Sequence, residues 1–185
     1  MIGVQELRKG VTIELDGELY RVLEYSHHKP ARGPATIRTK LNNLRTGANV
    51  DRSFGSGQKV QDIRLDHSEV QYLYSDGDLY YFMNTETYEQ PALSAEMLGN
   101  AVDFLSENTV LKLETYEGEP LAVDLPTTVD LEVTQTDPGF AGDTATGALK
   151  EAVLSTGLKV KVPLFIEEGN TIRVDTRDSS YVTRV

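Results

Sequence analysis

The clearest structural signal in this 185-residue chain is the run VTIELDGELYRVLEY, residues 11–25. Apolar and polar side chains alternate on both sides of Asp16-Gly17, a pair that favours the two-residue turn of a β-hairpin. Residues 35–41 alternate as well. Their two faces consist of Ala35, Ile37, Thr39 and Leu41, and of Thr36, Arg38 and Lys40. The first third of the chain is therefore predicted to be a small antiparallel β-barrel or sandwich.

Similar patterns restart further along the chain. Strands are predicted on both sides of the turn Asp76-Gly77, before the turn Glu117-Gly118, and over residues 129–135, 158–163 and 171–175. A short helix is predicted over residues 94–98, and a loop over residues 136–150. Pro126 marks a boundary, because proline interrupts a strand ladder. We predict an all-β chain of three small β-barrel domains, over residues 1–64, 65–127 and 128–185.

Charge is distributed unevenly along the chain. The net charge is -11, with +4 on residues 1–64, -12 on residues 65–127 and -3 on residues 128–185. Residues 25–50 contain no carboxylate and five bases, which are Lys29, Arg32, Arg38, Lys40 and Arg45. A cationic segment on an anionic chain favours a polyanion partner such as nucleic acid. The acidic middle third is expected to face away from that partner or to meet a basic protein.

Residues 27–34, HHKPARGP, are predicted to form a loop between two strands of the first barrel. This loop is longer than the usual two to five residues of a hairpin connection, which favours a functional role. Pro30 and Pro34 restrict φ, and Gly33 permits a tight reversal. Arg32 is therefore expected at the tip of a stiff loop.

No enzyme active site, metal site or cofactor site is indicated. The chain has no cysteine, which excludes disulfides and thiolate chemistry. Residues 142–147 have the glycine spacing of a phosphate-binding loop, but Ala148 stands where lysine is required. His27 and His28 are predicted to be solvated loop residues, and no third metal ligand is near them in sequence.

The aromatic residues of the middle third have two interpretations, a base-stacking platform or packing in the core and at its rim. They are Tyr72, Tyr74, Tyr80, Tyr81 and Phe82. The charge of -12 on this part of the chain repels phosphate, which favours packing.

Nothing in the sequence indicates a membrane segment. No stretch approaches the ~20 apolar residues that span a bilayer. The N-terminus, MIGVQE, lacks the basic and then apolar pattern of a signal sequence. We therefore expect a cytoplasmic protein without membrane association.

Two motifs resemble those of bacterial elongation factor P, a family related to the hypusine-bearing eukaryotic and archaeal initiation factors. The first is KPARGPA at residues 29–35, followed by TKL at 39–41 and LRTG at 44–47. The second is KEAVLSTGLKVKVPLFIEEG at residues 150–169, accompanied by DPG at 137–139, GDT at 142–144 and YVTR at 181–184. The resemblance covers all three predicted domains.

The resemblance implies an N-terminal SH3-like, KOW-type barrel followed by two OB-folds, in an L-shaped arrangement that resembles tRNA. It also implies a monomeric, non-enzymatic elongation factor that binds the 70S ribosome next to peptidyl-tRNA. Such a factor stimulates peptide-bond formation and relieves stalling at consecutive prolines. The expected partners are peptidyl-tRNA, rRNA and mRNA near the exit site, and basic ribosomal proteins.

Carried onto this sequence, the resemblance places Arg32 at the functional tip that faces the acceptor end of peptidyl-tRNA. The supporting loop residues are Lys29, Pro30, Gly33 and Pro34. The expected RNA-binding residues are Arg38, Lys40, Arg45, Gly142, Asp143, Thr144, Tyr181 and Arg184. For Tyr181, packing on its own barrel is an equal alternative. Many family members carry a modified lysine at the tip, whereas Arg32 is compatible only with modification of a guanidinium, such as rhamnosylation, or with none.

Two other functions stay open at this point. One is an elongation factor P-like paralogue, which would differ in the stalling sequences that it relieves. The other is a general RNA-binding or ribosome-assembly module, which would protect rRNA away from peptidyl-tRNA.

Overall fold

A computed structural model describes residues 1–139 and 147–185 of the chain, and its elements are almost all strands. The strands are β1 (Ile2–Gly3), β2 (Thr12–Leu15), β3 (Glu18–His28), β4 (Thr36–Asn43), β5 (Asn49–Gly55), β6 (Lys59–Ile63), β7 (Asp66–Ser75), β8 (Leu79–Asn84), β9 (Ala92–Ser94), β10 (Val110–Tyr116), β11 (Glu119–Asp124), β12 (Thr128–Thr136), β13 (Leu149–Leu154), β14 (Lys159–Pro163), β15 (Thr171–Asp175) and β16 (Ser180–Arg184). Helix α1 (Ala95–Leu98) and two 3-10 segments, Val4–Glu6 and Gly99–Phe104, are short. Within the described ranges, none of the helices has the length and apolar character needed to cross a membrane.

The N-terminal sheet has the strand order β1-β6-β2-β3-β4-β5, with antiparallel neighbours throughout. Leu15 pairs with Glu18, so Asp16 and Gly17 form the predicted two-residue turn. The predicted inward face of β4 is confirmed, because Ile37, Thr39 and Leu41 are buried while Arg38 and Lys40 are exposed. The barrel core consists of Val4, Leu7, Ile13, Val22, Ile37, Leu41, Phe54 and Val60.

The loop predicted over residues 27–34 begins later than expected. Strand β3 continues through His27 and His28, which pair with Ile37 and Thr36 of β4, so these histidines are strand residues and not loop residues. The last five residues of β3 are all exposed, so no burial pattern marks them in the sequence. Backbone pairing with β4 extends the strand there, and the connecting loop covers residues 29–35.

The other two sheets have five strands each. Their orders are β11-β10-β7-β8-β9 and β14-β13-β12-β15-β16. Strands β14 and β16, at the two ends of the third order, lie close together, so this sheet approaches a closed barrel. The predicted short helix is confirmed as α1, whose first turn is capped by the Ser94 hydroxyl and whose C-cap residue is Gly99. The core around the third sheet consists of Phe104, Val129, Leu131, Val133, Ala152, Leu154, Val160, Val162, Ile166, Ile172 and Val174.

The aromatic residues of the middle third pack as the charge argument favours. Tyr72 and Phe82 are buried, with ring centroids 5.6 Å apart. Tyr74 and Tyr81 stack at 4.8 Å on a more exposed face, where the Tyr81 hydroxyl donates to Asp76. The core-and-rim interpretation therefore describes this sheet.

The described residues divide into two compact units. One contains residues 1–68, 93–99 and 113–122, and the other contains residues 69–92, 100–112 and 123–185. This division follows contacts and not the chain order, and it assigns parts of the second sheet to each unit. The domain boundaries after residues 64 and 127 stay a prediction.

Candidate RNA-binding surface

The β3–β4 hairpin supports the loop that carries Arg32. Pairing extends from Tyr20 opposite Asn43 to His28 opposite Thr36, and β5 pairs along the other side of β4. Thr39, in the buried row of β4, donates its hydroxyl hydrogen to the backbone oxygen of Arg52 at 3.0 Å. The hairpin is thus held by two neighbouring strands and by a buried row of side chains.

Residues 29–35 form the tip loop, and Arg32 is exposed within it. Gly33 has φ of 117°, a value that side chains of L-residues rarely allow, so the reversal after Arg32 depends on glycine. A Cβ placed at Gly33 would lie 3.7 Å from Cγ of Pro30, which shows that the loop folds over the proline ring. The predicted placement of Arg32 at the end of the hairpin is confirmed, and its role stays a prediction.

Arg38 and Lys40 point to the same outer face of β4 but have different neighbours. Lys40 is paired across the sheet with Glu24 of β3 and Asp51 of β5. Arg38 is paired in the same way with two serines, Ser26 and Ser53. Glu24 and Asp51 are the acids just outside residues 25–50, and folding places both beside Lys40. Arg38 has neutral neighbours on both strands.

Arg45 lies at the opposite end of β4 from the tip loop, and its side chain is engaged within the protein. Its Nε and Nη2 donate to the Glu119 carboxylate at 3.1–3.3 Å, and its Nη1 donates to the backbone oxygen of Gly17 at 3.1 Å. Hydrogen bonding to the Glu119 carboxylate raises the pKa of the Arg45 guanidinium. The structure does not bring Arg45 together with Arg38 and Lys40.

In the C-terminal barrel, the expected RNA-binding residue Arg184 lies against an aromatic ring. The Arg184 guanidinium lies 5.5 Å from the ring centre of Phe165, a cation-π arrangement. The backbone of Gly139 packs against Leu164, since an added Cβ would lie 3.1 Å from the Leu164 Cβ. Gly142, Asp143 and Thr144, which the resemblance also assigns to RNA binding, lie outside the described residues.

Two aromatic residues near the C-terminus, Tyr181 and Phe165, differ in their exposure. Tyr181 is partly buried and packs against the C-terminal core, opposite Val174 of β15, which is the packing alternative expected for it. Phe165 is 59% exposed. It was not predicted as a site residue, because it follows Pro163, where β14 ends, and so belongs to no strand pattern. Exposure of a large aromatic ring beside an arginine makes Phe165 part of the candidate surface.

No metal centre is evident in the part of the chain that the structure describes. Within residues 1–139 and 147–185, no three His, Asp or Glu side chains come together as potential ligands. His27 and His28 are consecutive residues of β3, so they point to opposite faces of the sheet.

Comparisons with known proteins agree along the whole chain. Family models match residues 3–60 as the elongation factor P KOW-like domain, residues 65–123 as the elongation factor P OB domain, and residues 129–184 as elongation factor P, C-terminal. The elongation factor P of Moorella thermoacetica is 50% identical over 184 residues, which cover 100% of both chains. This chain belongs to the elongation factor P family.

Other members of the family are similarly close. The elongation factor P of Symbiobacterium thermophilum is 49% identical over 184 residues, and that of Acetivibrio thermocellus is 46% identical over 185 residues, each with full coverage of both chains. The solved structure of eukaryotic translation initiation factor 5A from Methanococcus jannaschii shares the fold, with a TM-score of 0.50 and 20% identity. That match covers 67% of this chain and 91% of the other. The all-β fold with a KOW-like domain and OB domains is confirmed, and the chain is a translation elongation factor.

Proposed function

We propose that this elongation factor binds the ribosome next to peptidyl-tRNA, stimulates peptide-bond formation and relieves stalling at consecutive prolines. The observation that carries the proposal is the exposed Arg32 at the end of a braced hairpin, in a chain that belongs to the elongation factor P family. Arg32 would contact the acceptor end of peptidyl-tRNA.

Arg32 would act by aligning the peptidyl-tRNA end for reaction. Proline has a restricted φ and is a poor participant in peptide-bond formation, and the reaction depends on the relative placement of two tRNA ends. A stiff cationic loop lowers the entropic part of that barrier by holding one end in place. The Arg32 guanidinium offers a planar set of donors that suits phosphate and base stacking. This role requires no acid, base or nucleophile from the factor, so the catalysis is the ribosome's own.

We propose further partners for the other surfaces. Arg38, with neutral neighbours, contacts RNA phosphate beside the tip loop, and Lys40 contributes less. Arg184 and residues 142–144 contact rRNA and mRNA near the exit site of the 70S ribosome, while Tyr181 packs on the C-terminal core. The middle third, with its charge of -12, faces basic ribosomal proteins. The factor would act in the cytoplasm as a monomer of three domains, over residues 1–64, 65–127 and 128–185.

Reconstituted translation of a message that encodes three consecutive prolines tests the proposal. Wild-type protein should shorten the pause, and Arg32→Ala should remove most of that effect. Lys59→Ala, which removes an exposed base from β6, is the matched control and should leave the effect intact. An unchanged pause with wild-type protein would contradict the proposed function. The intact mass of protein from its native host then distinguishes unmodified Arg32 from rhamnosylated Arg32.

Chemical footprinting separates this function from an assembly role. The proposal requires protection of RNA next to peptidyl-tRNA in the presence of the factor. Protection confined to rRNA elsewhere would favour a ribosome-assembly module. Relief of a different set of stalling sequences, with the same footprint, would instead favour the paralogue.

A further inference from the structure

The β4–β5 turn, residues 44–48, lies at the base of the tip hairpin and is held by side-chain hydrogen bonds. Asn43 is 7% exposed, and its Oδ1 accepts hydrogen bonds from the backbone N–H groups of Arg45 and Thr46 at 2.8 and 3.0 Å. Its Nδ2 donates to Glu18 at 3.1 Å. The side chain of Asn43 therefore fixes the path of the turn and the direction in which Arg45 leaves it.

An apolar contact joins this turn to strand β11. Leu44 is 4% exposed and forms a buried cluster with Leu19 of β3 and Leu121 of β11. The backbone N–H of Leu44 also donates to the backbone oxygen of Leu19 at 2.9 Å. Burial of three leucines is a substantial hydrophobic contribution, so the turn and β11 are packed together.

A backbone contact joins the same turn to helix α1. Gly47 has φ of 74°, and a Cβ added there would overlap the carbonyl oxygen of Glu96 and lie 2.9 Å from its carbonyl carbon. Real Cβ atoms do not approach backbone this closely, so only glycine allows the turn to approach α1 in this way. Residues 93–99 and 113–122 accordingly belong to the same compact unit as residues 1–68.

Arg45 makes the only charged contact between the β4–β5 turn and β11 among the described residues. Its guanidinium is chelated by the Glu119 carboxylate and also binds the backbone oxygen of Gly17. Glu18 lies 4.0 Å away on the same side. The Glu119 carboxylate and the Gly17 oxygen accept from all three guanidinium nitrogens, and Glu18 adds a second negative charge nearby, so an RNA phosphate would have to compete with these acceptors.

We propose that Arg45 is a positioning residue, which fixes the direction of the tip hairpin by binding Glu119 and does not contact RNA. The inference rests on the proposed function above, in that Arg32 must reach a defined place. Its structural half, that the Arg45–Glu119 pair sets the hairpin direction, can be measured without the ribosome.

Because Arg32 lies far from the turn at the base of the hairpin, a small change of angle at the base moves Arg32 by a large distance. Strand β4 has eight residues, so the tip loop lies roughly 26 Å from the turn at 3.3 Å per residue. A tilt of about 10° at the base would move Arg32 by about 4.5 Å, and a misplacement of about 1 Å can cost a factor of ~100 in an aligned reaction. A modest contact at the base can therefore influence function at the tip.

Distances between spin labels test the structural half. The chain has no cysteine, so Ala31→Cys in the tip loop and Ala95→Cys in α1 place two labels on exposed residues of one compact unit. This pair is measured with Arg45→Glu, with Glu119→Arg and with both changes together. Arg38→Glu, which reverses an exposed base on the same β4 strand, is the matched control.

The expected result is a narrow distance distribution in the unchanged protein and a partial return toward it in the double variant, in which the carboxylate at position 45 faces Glu18 and the Gly17 oxygen. Each single variant should broaden the distribution or shift it, because each removes the Arg45–Glu119 pair. Loss of an exposed ion pair changes the ratio of molecules with the turn packed on β11 to those without this contact by up to about fivefold. The control should keep the narrow distribution. Unchanged distributions in both single variants, or a double variant as broad as the single ones, would overturn the proposal.

The same charge reversals, in protein without the two label cysteines, test whether Arg45 supports function without contacting RNA. Pause relief at three consecutive prolines should fall about two- to fivefold in each single variant and recover in the double variant. A double variant with a narrow distance distribution but no recovery would show that the charge at position 45 contacts RNA, which overturns the inference. Failure of unchanged protein to relieve the pause would contradict the proposed function instead, while the label distances would still decide whether Arg45 positions the hairpin.

Discussion

Replacing Gly47 with alanine is the sharpest stability test of the joint between the β4–β5 turn and helix α1. The substitution adds a single methyl group, so any large effect must come from backbone strain or from the contact with Glu96. Gly118→Ala is a matched control, because Gly118 has a similar φ of 82° in the same compact unit and a Cβ there meets nothing within 4 Å.

The two substitutions share one cost and differ in another. An alanine in the left-handed region costs about 1–2 kcal/mol at either position. At Gly47 the added Cβ overlaps the Glu96 carbonyl oxygen, which is backbone and cannot rotate away. Such overpacking costs about 1–3 kcal/mol more. Gly47→Ala should therefore lower the free energy of unfolding by roughly 2–5 kcal/mol, against about 1–2 kcal/mol for Gly118→Ala.

Urea titrations followed by far-UV circular dichroism measure both losses under one condition. The midpoint of the transition should be lowest for Gly47→Ala and intermediate for Gly118→Ala. A loss in Gly47→Ala that is no larger than the loss in Gly118→Ala would refute the close approach of the turn to α1. The base of the hairpin would then lack its closest contact with α1.

Two other predictions concern charge. Hydrogen bonds from the Arg177 guanidinium, and then from its backbone N–H, lower the pKa of Asp175 from 3.8 to about 2. Stability from a carboxyl with a lowered pKa is present above the unfolded value and is lost as the pH falls through the folded one, so the free energy of unfolding should decline between pH 3.8 and about 2. In Asp175→Asn the slope of the free energy of unfolding against pH should correspond to about one proton fewer in this range. Urea titrations that give the same pH dependence for both proteins would contradict the lowered pKa of Asp175. On the outer face of β4, Arg38→Ala should reduce the salt dependence of ribosome binding by about one unit of log–log slope. Lys40→Ala should reduce it by less, because two carboxylates flank Lys40, and equal reductions would contradict this difference.

The hairpins and the short helix could be predicted because their signals are local. Alternation with period two and the pair Asp16-Gly17 depend only on neighbouring residues, and so does the Ser94 cap of α1. The buried row of β4 follows from the same rule. The extension of β3 from Tyr25 through His28 could not be predicted, since the exposed end of the strand carries no apolar pattern.

The neighbours of the basic residues could not be predicted from local pattern. Strand β5 is mostly polar, with Val50 and Phe54 as its inward residues, so its register beside β4 gives a weak signal in the sequence. The pair between Arg45 and Glu119 joins positions 74 residues apart, and no spacing rule connects them. Sequence alone could count the five bases but could not say which of them had acquired acidic partners.

Folding converts the five bases of residues 25–50 into a gradient of available charge along one hairpin. Arg45, at the base, is bound by Glu119, and Lys40 lies between two acids on the adjacent strands. Arg38 lies between two serines, and Lys29 and Arg32 are exposed in the loop beyond it. The potential of such a hairpin rises toward its tip, so a polyanion is drawn to the end of the hairpin and not along its length. Under the proposed function, a net charge of +4 spread evenly over the first third would allow many orientations on RNA, whereas this distribution favours the one in which Arg32 leads.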